Sequence, residues 1–150
     1  MEKLYAPWRG VYVQGGIGGR CVFCVGKKTD SSKDKKRLVV ERGLHCFSIL
    51  NRYPYNSGHI MVAPYRHVKS LEFLKDSELL DLFRLVNYTK KKIDRLLKPA
   101  GYNMGLNIGR LSGAGFPGHV HMHIVPRWEG DTNFMPVVAD IKVVSHSLSE

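Results

Sequence analysis

Three histidines, His119, His121 and His123, occupy alternate positions in the run Gly118–Trp128, with Val120, Met122 and Ile124 between them. In an extended strand, alternate side chains share one face at about 6.6–7 Å spacing. The pattern therefore lines three imidazoles along one side and sends the apolar residues into a core. Packing gives no reason for it, because a buried imidazole is costly without a hydrogen-bonding partner. Histidine is the side chain best poised for proton transfer, nucleophilic attack and metal ligation near neutral pH. Two chemistries fit. Two or three of the histidines could hold a metal. Alternatively, the neutral imidazole of His121, flanked by the other two, could attack phosphorus while a neighbouring cation steadies the phosphoryl oxygens. The glycine-rich stretch before the triad (Gly109, Gly113, Gly115, Gly118) is suited to close approach of backbone to a phosphate.

A second constellation is Cys21-x-x-Cys24, two of the three cysteines in the chain. No helix start follows it to lower a thiol pKa, so metal binding is a better reading than redox work. Cys46 reads as a small buried hydrophobe, His45 and His146 as surface residues, and His59 as structural at a turn-to-strand junction. Trp8 and Trp128 suit either stacking on a base or a core or interface position.

These residues must be positioned by a small set of elements. The 150 residues read as one domain, with residues 1–20 a flexible glycine-containing arm and 136–150 an extended tail. Strands are expected at 38–42, 45–50, 59–63, 102–108 and 120–125. A long helix should run from an Asp76 N-cap to Pro99, with Leu79, Leu82, Phe83, Val86, Ile93 and Leu97 at helical spacing. A short helix is expected at 70–75, and residues 26–37 read as a solvated loop. The order indicates α+β, an antiparallel sheet of about five strands with one long and one short helix. The N-terminus lacks the apolar stretch of a secretory signal and no run approaches a membrane span, so the expected address is cytoplasmic. The net charge of +10 first suggests a nucleic-acid partner. Eight of those charges, however, sit in residues 26–37 and 90–98, away from the triad, and no recognition helix or zinc finger is evident. Nucleic acid is therefore not the expected partner.

The run HVHMHIVPRW resembles the histidine-triad motif of the histidine-triad (HIT) superfamily of nucleotide hydrolases and transferases. Leu50-Asn51, Gly58–Val62 and Pro64-Tyr65-Arg66-His67 are similar to the family's central hairpin and its Pro-x-x-His. Cys21-Val22-Phe23-Cys24 resembles the zinc pair of bacterial members, and Tyr5–Arg9 with Trp128–Val137 resemble the diadenosine tetraphosphate phosphorylase branch. The resemblance implies a HIT-like fold, an adenine nucleotide or dinucleoside polyphosphate as substrate, and a homodimer whose sheets continue across the interface. It makes His121 the nucleophile at the α-phosphorus, His123 an assistant at the phosphate and leaving group, and His119 the third triad member. Asn51 would contact the ribose and Asn107 the phosphates or the nucleophile. Beside what the resemblance implies, Gly115 of the glycine-rich stretch is a candidate to meet a phosphate through its backbone, and Trp128 a candidate to stack on the base as an alternative to its core or interface reading. Zinc would be structural, held by Cys21, Cys24, His67 and His119, the four N/S ligands of a closed site. Where many relatives carry Gln, Ser or Thr before the triad, this chain has Ala114–Gly118, leaving the role to backbone N–H groups or Ser112. Two other readings use the same residues: a low-turnover purine-nucleotide sensor, and a processing activity on adenylated nucleic-acid ends.

Overall fold

A computed structural model describes residues 21–26, 31–112 and 116–131. The arm at 1–20, the tail at 136–150 and Gly115 lie outside the described residues. Five strands, β1 (Val39–Arg42), β2 (Cys46–Leu50), β3 (Ile60–Pro64), β4 (Gly101–Leu106) and β5 (Met122–Arg127), form one sheet in the order β1-β2-β3-β5-β4. Every neighbouring pair is antiparallel. Among the described residues, no helix is long and apolar enough to cross a membrane.

Alternation along the strands sorts side chains onto two faces. Cys46, Ile60, Val62, Met122 and Ile124 pack against Leu82, Leu85, Val86 and Ile93 of the long helix α2 (Asp76–Leu97). On the opposite face Phe47, Ile49, Met61 and Ala63 pack with Phe23 and Val25 from the N-terminal segment. The pairs Val62–Met122 and Ile60–Ile124 lie towards α2, and the intervening Met61–His123 pair lies on the other face. That face carries the triad.

Several expected boundaries move, each for a local reason. Lys75, not Asp76, occupies the cap position of α2, and the Glu78 carboxylate three residues on accepts its N–H (2.8 Å). Phe83 and Leu97, expected on the buried stripe, are exposed, while Leu85 takes a core position. The short helix at 70–75 reduces to a 3₁₀ turn at Leu71–Phe73. A one-turn helix α1 (Asp34–Arg37) stands within the stretch read as a loop. Arg42 of β1 holds Asp34 there in a two-pronged pair (2.8 and 2.6 Å), which ties the turn to the sheet edge. β5 begins at Met122 rather than Val120, and β4 ends at Leu106 rather than Ile108, because Leu106–Met122 is the last pair of their ladder. The residues just before β5 bond elsewhere. The Val120 N–H donates to the Val68 carbonyl (2.7 Å).

Glu78 also takes two hydrogen bonds from the Arg66 guanidinium (both 2.7 Å). Chiefly through that pair, its carboxyl is held down at about 2. A depressed carboxylate contributes stability fully present above its unfolded pKa and lost as pH falls through the folded one. The wild-type urea midpoint is therefore expected to fall between about pH 4.5 and pH 2. Glu78→Gln should be less stable at pH 6 and lose less on that descent. An unchanged slope in the variant would contradict this role.

Candidate active site and metal cluster

The triad histidines are all buried, at 1, 3 and 5% exposure for His119, His121 and His123, and each has a defined partner. The His119 Nε2–H donates to the Pro64 carbonyl at the end of β3 (2.9 Å), so its Nδ1 carries the lone pair. That nitrogen lies 3.4 Å from Cys21 Sγ. The His121 Nδ1–H donates to the His119 carbonyl (2.8 Å), which leaves the Nε2 lone pair available for attack. Burial pushes the His121 imidazole below the ordinary histidine range, and the carbonyl only partly opposes it. The ring is therefore neutral near pH 7, the form that a nucleophile requires.

His123 is fixed from the other side. The Tyr55 N–H donates to His59 Nδ1 (3.1 Å), so the His59 proton lies on Nε2 and is given to His123 Nδ1 (2.9 Å). The proton of neutral His123 consequently sits on Nε2. Asn51 belongs to this chain of bonds. Its Oδ1 accepts the Tyr53 N–H (2.9 Å), which turns its Nδ2 towards His59 Nδ1 (3.2 Å). Tyr55 stacks on the His59 ring at 4.8 Å and 26°. His59, read from the sequence as a junction residue, thus links Asn51 to the triad. Its signal was only its place at the start of a strand; the contact with His123 needs the β3–β5 pairing.

Asn107 lies one residue beyond the Leu106–Met122 pair, the last of the β4–β5 ladder. Trp128 lies beyond the far end of β5, half-buried, with its N–H bound to Asp131 (2.9 Å). Seven residues at the rise of a strand put its backbone about 23 Å from that of His121 within the same chain. Ser112 donates its hydroxyl to the Gly109 carbonyl (2.7 Å).

The cysteine pair meets two histidines. Cys21, Cys24, His67 and His119 each offer one ligand atom, and these four atoms lie within 4.8 Å of one another. Cys24 Sγ is 3.4 Å from His67 Nδ1, matching the Cys21–His119 separation. A tetrahedral ion with Zn–S of about 2.3 Å and Zn–N of about 2.0–2.1 Å places sulfur and nitrogen about 3.5 Å apart. The donor set and its spacing fit zinc. The Pro64 carbonyl behind His119 supplies the outer hydrogen bond that orients such a ligand. Gly118 permits the approach of His67, since a Cβ there would stand 3.3 Å from its Nε2.

Residues 32–130 match the HIT domain. AP-4-A phosphorylase of Mycobacterium tuberculosis is 42% identical over 117 residues, 78% of this chain and 60% of that protein. The chain therefore spans less than two thirds of that relative's length. The asymmetrical bis(5'-nucleosyl)-tetraphosphatase of Schizosaccharomyces pombe is 37% identical over 84 residues, 56% of this chain and 46% of that protein. A crystal structure of a hypothetical histidine triad nucleotide-binding protein from Sulfolobus tokodaii superposes with a TM-score of 0.61 at 27% identity, covering 83% of this chain and 77% of that one. With three buried histidines at the start of β5 in an antiparallel α+β sheet and most of its length matched, the chain belongs to the HIT domain family.

Proposed function

We propose that the protein cleaves dinucleoside polyphosphates at the α-phosphorus, with diadenosine tetraphosphate as substrate, through a nucleotidyl intermediate on His121. The observation that carries this is the neutral, anchored imidazole of His121, with its Nδ1 bound to the His119 carbonyl and its Nε2 left as the nucleophile. The names of the mycobacterial and fission-yeast relatives support the substrate class.

In the first step the Nε2 lone pair forms a bond to the α-phosphorus as the bond from phosphorus to the bridging oxygen breaks. The electron pair leaves on that oxygen, and ATP departs as an anion needing no proton. The His121 ring becomes cationic and keeps its Nδ1–H on the His119 carbonyl. The His123 Nε2–H donates a hydrogen bond to the phosphate oxygens. In the second step an anionic oxygen of hydrogen phosphate attacks, the N–P bond breaks, its electron pair returns to Nε2, and ADP leaves. Water in that place gives AMP and a proton to solvent. Asn107, just past the end of β4, is assigned to the phosphates, and Asn51 acts through His59.

The reading includes a structural zinc ion held by Cys21, Cys24, His67 and His119. Its chemistry is to fix His119, and so the chain that presents His121. It also includes a homodimer, for which edge strand β4, with Met104 exposed, offers pairing.

Diadenosine tetraphosphate given with and without inorganic phosphate tests the reading. ADP plus ATP appearing only with phosphate is the expected result, and AMP plus ATP without it would make the protein a hydrolase. Binding of AMP with no product from either mixture would contradict catalysis and favour a sensor. His59→Phe removes the donor to His123 and is expected to lower kcat roughly 10–100-fold. Its steady-state kinetics, with KM nearly unchanged, check that assignment.

A further inference from the structure

We propose that Phe23, between the two cysteines of the metal cluster, is a positioning residue for His121. It holds the imidazole face and favours the cationic ring formed on attack. The inference rests on His121 being the nucleophile. Phe23 is 1% exposed and stacks on the His121 ring at 4.3 Å and 24°. It also touches His119 at 5.4 Å and meets the edge of Phe116 at 6.0 Å. The covalent bond at Cγ and the hydrogen bond from Nδ1 to the His119 carbonyl hold one edge of the imidazole, and tilt of the ring about that edge is what a neighbouring face must limit. A parallel aromatic face against the ring removes this freedom. His123 meets the same ring edge-on at 4.8 Å and 69°, so its arrangement does not duplicate the stack.

The local backbone explains why Phe23 can do this. The Cys24 N–H donates to the Cys21 carbonyl (3.1 Å) and the Val25 N–H to the Phe23 carbonyl (2.9 Å), closing a tight turn. Its cysteines face His67 and His119, and its phenylalanine enters the face of the sheet that carries the triad. Two routes therefore lead from the cysteine turn to the nucleophile. One runs through His119 and its carbonyl, the other through the Phe23 ring. The second has an electronic consequence. An aromatic face attracts a cation stacked on it, and His121 gains positive charge only when its Nε2 is bonded to phosphorus. The contact is thus stronger in the intermediate than in the resting enzyme, which is the condition for lowering a barrier rather than for binding substrate.

The test compares Phe23→Leu, Phe23→Tyr and Phe47→Leu. Phe47 belongs to the same buried cluster but stacks on Tyr65 (5.4 Å), so its truncation costs packing without touching the triad. All three are made in the full chain and assayed for bound metal, unfolding midpoint, kcat and KM, and the NMR shift of the His121 Hε1 proton. Phe23→Leu is expected to lose roughly 10–100-fold in kcat with KM little changed. It should keep its metal and lose the upfield ring-current shift at His121. Phe23→Tyr should restore most of both. Phe47→Leu should lose stability while keeping the shift and kcat. Equal behaviour of Phe23→Leu and Phe47→Leu, or metal loss in Phe23→Leu, would overturn the proposal. The NMR contrast does not depend on turnover: if the wild type processes no nucleotide, the functional reading fails, and the His121 shift still decides whether Phe23 holds the ring.

Discussion

His121→Ala is expected to lower turnover of diadenosine tetraphosphate on the order of 10⁴-fold or more, the scale seen when a covalent nucleophile is removed. The variant should still fold. His121 gives a hydrogen bond to a carbonyl two residues back, a ring stack on Phe23 and an edge contact with His123, while the sheet and the α2 core are built from other residues. Circular dichroism and an unfolding curve would verify that. The loss should appear in kcat, because the N–P bond exists only along the reaction path. A variant that binds AMP as the wild type does, yet makes no product, matches this expectation. Retained activity would move the chemistry to another residue.

The second large effect concerns the cysteine and histidine cluster. Purified protein is expected to carry one zinc ion per chain, and Cys21→Ser or His67→Ala to carry little. A ligand present at 1,000 times its Kd stabilises the folded state by about 4 kcal/mol. Strong chelation should therefore lower the thermal midpoint and release the chain near Phe23 and His119 together. His119 bonds the Pro64 carbonyl through one nitrogen and faces Cys21 with the other, so its ring is oriented for a metal before any ion arrives. Metal analysis of wild type and Cys21→Ser, with melting curves before and after chelation, checks the expectation. A metal-free wild type with the same midpoint would contradict it.

The triad was legible because its information is local. A period of two within five residues defines a face, and that alternation carries on ahead of β5, which itself begins at Met122 and contains only His123 of the three. The α+β class and the five strands were legible for the same reason, from alternation broken by glycine and proline. What the sequence concealed depends on contacts between distant segments. His59 is an ordinary strand-start residue until β3 lies beside β5 and its Nε2 meets His123. Phe23 is simply an apolar residue between cysteines until the N-terminal segment crosses the sheet onto His121. Helix α1 escaped notice because four residues carry no periodicity, and the pair from Arg42 to Asp34 holds it. Phe83 failed as a core residue because the apolar stripe of α2 is wider than the strip of helix that meets the sheet. The basic stretch 90–98, conspicuous by composition, is partly neutralised where Lys90 pairs with Asp94 (2.7 Å) and Lys92 with Glu41 (2.5 Å).

In the proposed mechanism His121 bonds covalently to the nucleotide. Rapid quenching of the enzyme with diadenosine tetraphosphate in the absence of phosphate, followed by peptide mass analysis under conditions that preserve N–P bonds, tests it directly. One adenylyl group is expected on the peptide containing His121, released as ADP when phosphate is supplied and absent from His121→Ala. Product formation with no labelled peptide, together with inversion of configuration at the α-phosphorus, would show direct displacement and contradict it.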